Sequence, residues 1–470
     1  MQSDIRVRET ALYFLPVPTR VPLRFGGNTI KSVTCARVRV TVENSAGVAA
    51  DGWGETPLSV PWIWNDHTPY KTREDALFEL TELLTQAWQD HSLTGHPMEM
   101  AAVFLNEIMP GELQSFRHTS GLRVPGLAGI VCSSPVELAT HDAYGILLGV
   151  PLYATYNADY MRYDLSRYFE EAPETARLFK RRFPEDYLVT TPPARIPAWH
   201  LVGALDPLSP ECAPEAVVDP ADGYPLYLTD WIERDGLRCL KVKLGGQEAE
   251  ADGSRLIRVG EFGMPRGVTA LSADFNCTAP SQEYVEEVLD RIRLDAPAVY
   301  KALLYVEQPF PADNSFYSRR VEHLARKKPL YMDESAESWQ SVAHGAGLGW
   351  NGVALKTCKT QTGALLSYCW ASEHEMPVMV QDLTNPMLAQ LSHLQLAAHT
   401  RTLCGVETNS MQFYPDASLP ESRVHPGAYT RSGGMVDIST MGGPGFGYDI
   451  ERIERELPRT AGKTVRKAQV

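Results

Sequence analysis

CLKVKLGG (239–246), ALSADFNC (270–277), LYVEQPF (304–310), LYMDESA (330–336) and GVALKTCK (352–359) are short apolar runs that end in charged residues. Side chains of a strand alternate between two faces, so Lys241 and Lys243 share one face, as do Asp274 and Asn276. Read in order, the run ends carry Lys-x-Lys, Asp, Glu, Asp and Lys, spaced by roughly one strand plus one helix. A parallel barrel opens the C-terminal end of every strand on one mouth and so collects such a series. Outward from this block, strand and helix alternate from RIPAWHLVGAL (195–205) to GVETNS (405–410), with VMVQ (378–381) as a further strand. Helices are expected near 225–236, 248–263, 281–297, 314–326, 337–346, 362–375 and 387–401. Eight strands in this span fit a closed parallel barrel better than an open sheet.

Upstream, residues 10–57 alternate like antiparallel strands, as ALYFLPV, TCARVRVTVEN and WGET, with a turn at SAGVAADG. The intervening TRVPLRFGGNTI reads as a loop, in which Gly26 and Gly27 suit an adaptable flap. From 73 to 108 the pattern is helical, with Leu77, Leu80, Leu83 and Leu84 on one face and a second stripe through Met98, Val103 and Ile108. SSPVELATHDAYGILLGVPL (133–152) predicts a helix capped by Ser134, with Pro135 in its first turn and Glu137 at capping-box spacing, stopped by Gly149 and Pro151. The Tyr-, Arg- and Glu-rich stretch 156–195 reads as a partly helical insertion. The turn-rich tail, 411–470, is expected to return to the first unit.

With 58 acidic against 44 basic residues, the formal charge of −14 argues against nucleic acid or an anionic membrane surface as a partner. Cys35, Cys132, Cys212, Cys239, Cys277, Cys358, Cys369 and Cys404 are scattered without a C-x-x-C, which suggests reduced thiols. The start MQSDIRVRET has no apolar signal core, and no run reaches membrane-spanning length. A soluble cytoplasmic protein is the expectation, and a symmetric homo-oligomer is the common outcome for enzymes of this size.

Mg²⁺ prefers hard oxygen donors, and Asp274, Glu307 and Asp333 offer three carboxylates on adjacent strands. Zinc is disfavoured, because His200, His374, His393 and His399 lack ligand spacing at these strand ends. In a ring of eight, the second strand, ending in Lys241 and Lys243, faces the sixth, ending in Lys356. A substrate held between them meets an amine on each face. A lysine beside other cations loses preference for its charged form, which makes Lys243 a candidate base at neutral pH. Removing the proton α to a carboxylate creates an enediolate, which the metal and Lys241 stabilise. Lys359 competes with Lys356 but falls after the apolar run, so Lys356 is preferred. Asn276, Gln308 and Glu334 either support the acids by hydrogen bonds or serve the fold.

At these residues the chain resembles the enolase superfamily, in its muconate-lactonizing and mandelate-racemase branch. The matches are LKVK, ADFN, VEQPF, MDES and VALKTCKTQTGA, with GWGE (52–55), VELATHDAYGILLGVPLY and GGPGFGYDIE outside the barrel strands. The resemblance implies a (β/α)₇β TIM-like barrel at 133–410, carrying the insertion at 156–195. It implies an α+β capping domain from 1–132 joined by the returning segment 411–470. It also implies Mg²⁺ on Asp274, Glu307 and Asp333, and acid/base roles for Lys243 and Lys356. The sixth strand offers a lysine and VMVQDLT offers no His, so the lysine type matches better than the His/Asp type. Dipeptide epimerases of this type carry Asp-x-Asp on the eighth strand, whereas this chain has Glu407 and Asn409.

The expected activity is therefore α-proton removal from a small-molecule carboxylate, leading to racemisation, epimerisation or cycloisomerisation. The alternatives are a dehydratase or lyase acting by β-elimination, a catalytically silent metal-binding barrel, and a metal-dependent hydrolase. Specificity is expected from the Arg20 to Asn28 flap, the segment after Glu55 and the eighth strand around Glu407. Arg24 or Arg20 is a candidate for binding a distal anionic group, with a surface salt bridge as the alternative. Trp62 and Trp64 either line a pocket or pack their loop, and His200 and Asp206 are further substrate candidates.

Overall fold

Strand β1 (Ile5–Phe25) pairs antiparallel with β2 (Asn28–Asn44), which pairs with β3 (Ala49–Pro57). These assignments come from a computed structural model that describes residues 1–212 and 219–465. Val38, Val40 and Val42 alternate along β2 and are fully buried, the inward face that the sequence pattern requires. The stretch read as a flap loop is instead the arm of this hairpin. Leu23 pairs with Ile30 and Phe25 with Asn28, and Gly26 and Gly27 make the two-residue turn with φ of 49° and 77°. Both turn positions need positive φ, which glycine supplies without a Cβ clash.

Helix α1 (Tyr70–Asp90) buries Leu77, Leu80 and Leu84 against the sheet. Helix α2 (Gly126–Leu148) corrects the expected start at Ser134, because it begins eight residues earlier and carries Pro135 inside it. GLAGIVCS continues the helix backward as a buried apolar turn, and Ser134 bonds outward to the carbonyl of Thr357 at 2.8 Å instead of capping. The expected boundary between residues 132 and 133 therefore falls within one helix. The GWGE glycines explain its close packing: a Cβ at Gly52 would lie 2.1 Å from the Ala143 nitrogen, and one at Gly54 would lie 2.2 Å from the Pro135 carbonyl. Arg37, 1% exposed, joins Glu55 of β3 to Glu421 of the tail, and Arg455 also binds Glu421.

The second sheet is the expected barrel. Its parallel strands are β4 (Arg195–Val202), β5 (Cys239–Lys243), β6 (Ala270–Asp274), β7 (Leu303–Glu307), β8 (Leu330–Met332), β9 (Gly352–Leu355), β10 (Val378–Val380) and β11 (Thr402–Glu407). Val406 of β11 pairs with Ala198 of β4, which closes the ring. The intervening helices include α3 (Leu228–Asp235), α4 (Ala249–Gly263), α5 (Gln282–Asp295), α6 (Trp339–Gly347), α7 (Gln361–Glu373) and α8 (Met387–His399). The helix expected at 314–326 forms only as two short turns, Phe316–Ser318 and Glu322–Ala325. Its buried residues Phe316, Val321 and Leu324 do not continue a helical stripe.

The insertion is partly helical, with Phe169 stacked on Phe179 and edge-on to Trp339 of α6. The tail serves both units: β12 (Met435–Asp437) pairs with β4, and β13 (Gly462–Val465) pairs with β1. The seven cysteines whose side chains are described are free thiols, and Cys212 lies outside that set. Among the described residues no helix is long and apolar enough to cross a membrane.

Candidate active site

Trp199, Cys239, Ala270, Tyr305, Tyr331 and Met379 fill the barrel interior below the mouth, with Tyr305 and Tyr331 stacked at 4.2 Å. Above this floor the inward positions turn polar. Lys243, Asp274 and Glu307 are direct partners across β5, β6 and β7, so strand register alone sets them side by side. Asp333 and Lys356 each follow one residue beyond their strands, β8 and β9. Lys241, Lys243 and Lys356 are 2%, 6% and 4% exposed, and the three acids 1% or less.

Asp274 Oδ2 accepts from Lys243 at 2.5 Å and lies 3.0 Å from Lys241. Lys241 also donates to Glu307 at 2.7 Å, Gln381 at 3.0 Å and Glu407 at 3.1 Å. Opposite, Lys356 lies 3.0 Å from Asp333 Oδ2 and donates to the Asp382 carbonyl at 3.2 Å. Lys359 reaches the Asp333 carbonyl and its Oδ1. Both amines lie over the Trp62 ring, but Lys356 and not Lys359 shares a cavity with Lys241 and Lys243. Leu23, Phe25 and Ile30 of the hairpin arm roof that cavity.

Six buried carboxyl groups, of Asp274, Glu307, Asp333, Glu334, Asp382 and Glu407, face four buried lysines. Burial and the neighbouring Asp274 push the Glu307 carboxyl well above its ordinary range. Burial and Asp333 raise Glu334 to about 7, and burial and Glu407 raise Asp382 to about 7. Burial acts the same way on Asp274 and Asp333, but Lys243 and Lys241 at the first, and Lys356 and Lys359 at the second, outweigh it and hold both low. Lys241 and Lys356 are penalised by burial, yet Glu307 and Asp333 respectively keep them charged.

Among the described residues no three acidic, His or Cys side chains gather as an ion requires, because lysine amines stand among the carboxylates. The chemistry of the set nevertheless fits a hard divalent cation: the donors are oxygens, carboxyl groups outnumber lysines by two, and Glu334 Oε2 and Asn276 Oδ1 are buried acceptors without a donor. A cation would replace amine contacts at Asp274 and Glu307.

The neighbours divide in role. Asn276 donates its backbone N–H to Asp274 and its side-chain amide to Glu334, and its φ of 45° is a strained value for a non-glycine residue. Gln308 accepts from the backbone of Asp333 and Ser335, clamping the end of β8. Sequence reasoning missed Gln381 and Asp382, and named Asn409 only as a departure from Asp-x-Asp. Asn409 ties Asp382 to Glu407, and Gln381 orients Lys241 and Glu307. Gln381 and Asp382 follow the strand run ending at Val380, the only signal that could have found them.

Arg24 is not brought to the lysines. It alternates with the inward Leu23 and Phe25 and points to a separate pocket beside His200 and Asp206. Arg20 is held by Asp222, Asp206 caps the Gly203 amide, and His200 packs on Trp231 outside the barrel lumen. Trp62 lines the site, whereas Trp64 is buried and bonds Asp66.

Residues 227–454 match the family model described as Enolase C-terminal domain-like. Among curated proteins none matches the chain significantly. Of solved structures, 2-chloromuconate cycloisomerase from Rhodococcus opacus aligns at 18% identity and TM-score 0.59, covering 96% of this chain and 100% of that one. N-succinyl Arg/Lys racemase from Bacillus cereus aligns at 15% identity and TM-score 0.60, covering 98% and 100%. A dipeptide epimerase from Cytophaga hutchinsonii, complexed with Mg and a dipeptide, aligns at 15% identity and TM-score 0.58, covering 98% and 97%. Residues 227–454 thus fall in the Enolase C-terminal domain-like family, and the whole chain shares its fold with muconate lactonizing and mandelate racemase-like proteins.

Proposed function

We propose that the chain is a Mg²⁺-dependent enzyme that removes the proton α to a substrate carboxylate, passes through an enediolate, and acts as a racemase, epimerase or cycloisomerase. The observation that carries this reading is one buried cavity lined by Lys243 and Lys356, from the second and sixth barrel strands, with Lys241 beside them. Asp274, Glu307 and Asp333 would hold the ion, which when bound supplies positive charge against the substrate carboxylate and the charge that develops on it. Lys243 Nζ takes or gives the proton on one face and Lys356 Nζ on the other. Lys241, fixed by Glu307, Gln381 and Glu407, offers a preorganised positive charge to the enediolate. Leu23, Phe25 and Ile30 exclude water from above. Amines on opposite walls favour return of a proton or ring closure over expulsion of a β substituent.

The test is incubation in deuterated water with a library of small carboxylic acids, with and without Mg²⁺, followed by proton NMR. Metal-dependent deuteration at the α carbon is expected. Its absence across a broad library, or undiminished exchange in Lys243→Ala, would count against the reading.

A further inference from the structure

Away from the lysine cavity, two thiols at the barrel floor touch. Cys239 opens β5, Cys404 is the third residue of β11, and their sulfurs lie 3.7 Å apart. β5 and β11 flank β4 on either side, so the contact spans the seam at which the ring closes. Lys241 and Lys243 lie further along β5 and Glu407 ends β11, which puts the thiols at the end of the barrel opposite the mouth. Among the described residues no other two thiols are in contact.

β11 is irregular at this point. Thr402 pairs with Val378 and Val406 with Val380, so four steps of β11 run beside two of β10. Gly405, with φ of 71°, makes the bend, and a Cβ there would lie 2.0 Å from the Pro197 carbonyl. Leu403, Cys404 and Gly405 stand outside both strand pairings of β11, which leaves the segment free to bring the sulfurs from 3.7 Å to the about 2.0 Å of a disulfide. Cys404 is partly exposed, whereas Cys239 behind it is 4% exposed. A hydrogen bond from the Cys239 thiol lowers Cys404 from the ordinary thiol range to about 7 and raises Cys239. One sulfur is thus placed to meet a reagent and the other to resolve the product.

We propose that Cys239 and Cys404 are a redox-active pair that a small hydroperoxide converts into a disulfide, locking the ring across β4. The Cys404 thiolate attacks one peroxide oxygen, the O–O bond breaks, and hydroxide leaves and takes up a proton as water, so Cys404 becomes a sulfenic acid. Cys239 then gives up its proton and attacks the Cys404 sulfur, the S–O bond breaks, and a second water leaves. Two thiols are oxidised and one peroxide is reduced to two waters.

The test treats the full-length chain with hydrogen peroxide at about pH 7 and follows it by intact-mass and peptide mass spectrometry. Loss of two hydrogens, a peptide cross-linked through Cys239 and Cys404, and reversal by dithiothreitol are expected. Cys404 should react about tenfold faster than Cys277, a partly exposed thiol that burial pushes up, because about half of Cys404 is thiolate against a few per cent of an ordinary thiol. In Cys239→Ser the sulfenic acid should persist and be trapped by dimedone, and in Cys404→Ser the cross-link and the fast phase should both vanish. The oxidised chain should unfold at a higher urea concentration than the reduced one, since the bond joins residues 165 apart in sequence. Faster reaction at Cys277, or no Cys239–Cys404 peptide, would overturn the pair. A cross-link that leaves the urea midpoint unchanged or lowers it would overturn the lock.

Discussion

Replacing Lys356 by Met should separate the two faces of the reaction. In the folded protein Lys356 Nζ lies 3.0 Å from Asp333, and removing one partner of a buried pair costs about 3–5 kcal/mol when the other charge is stranded. Asp333 is not stranded here, because Lys359 still contacts its carboxylate and its carbonyl. The stability loss should therefore be nearer 1–3 kcal/mol, roughly that of a lost charged hydrogen bond, and the variant should fold. Catalysis should lose more, and on one face only. A positioned acid or base contributes about 10²- to 10⁴-fold, or about 3–5 kcal/mol of barrier. The enantiomer whose α proton faces Lys356 should lose exchange by that factor, while its mirror image, served by Lys243, keeps exchange within about threefold. Interconversion of the two should then be lost. The assay follows each pure enantiomer in deuterated water by NMR, with a urea titration to confirm folding. Equal loss for both enantiomers in a folded variant, or loss for neither, would refute opposed lysine bases.

Arg37→Met should cost about 3–5 kcal/mol in urea unfolding, because Glu55 is left buried without a cation while Arg455 still serves Glu421; an unchanged midpoint would contradict the role given to this network. Gly54→Ala should lose about 1–3 kcal/mol by overpacking, since its Cβ would lie 2.2 Å from the Pro135 carbonyl, and thermal melting reports it. Burial lowers His393 from its ordinary 6.5 to about 4 while its ring contacts the Glu407 carbonyl at 2.8 Å. The unfolded chain takes up that proton first, so the stability present above pH 6.5 is lost as pH falls toward 4. Between about pH 7 and pH 5 the loss is about 2 kcal/mol, and His393→Gln should remove that much of the slope in urea midpoints against pH. Parallel curves for parent and variant would refute the assignment.

The chemistry-bearing strand ends were legible because each lies within two residues of a short apolar run, where period-two alternation fixes its side. Lys243, Asp274 and Glu307 became neighbours through register alone. The start of α2 was misread because Ser134 and Pro135 imitate a helix beginning, and only burial between sheet and barrel lets the chain continue through a proline that lacks an N–H. One proline and two glycines in TRVPLRFGGNTI made the hairpin arm look like a loop. Once its strand register is known, the buried Leu23 and Phe25 put Arg24 on the other side. Gln381 carries no spacing signal, because its partners Lys241 and Glu307 sit on distant strands that only the closed ring brings opposite it. The lysine amines among the acids are likewise a product of three-dimensional charge balance.

Helix α2 grips the loop behind Lys356 in several places. Ser134 bonds the Thr357 carbonyl, and the Glu137 carboxylate accepts the Gln361 and Thr362 amides at 2.8 and 2.9 Å, at the start of α7. The N-terminal half of the chain is thus a brace for one amine as well as a cover for the mouth. Chimaeras that transplant the barrel alone onto a foreign cap would leave residues 356–362 unsupported, so α2 and that loop form the smallest module that can be exchanged intact.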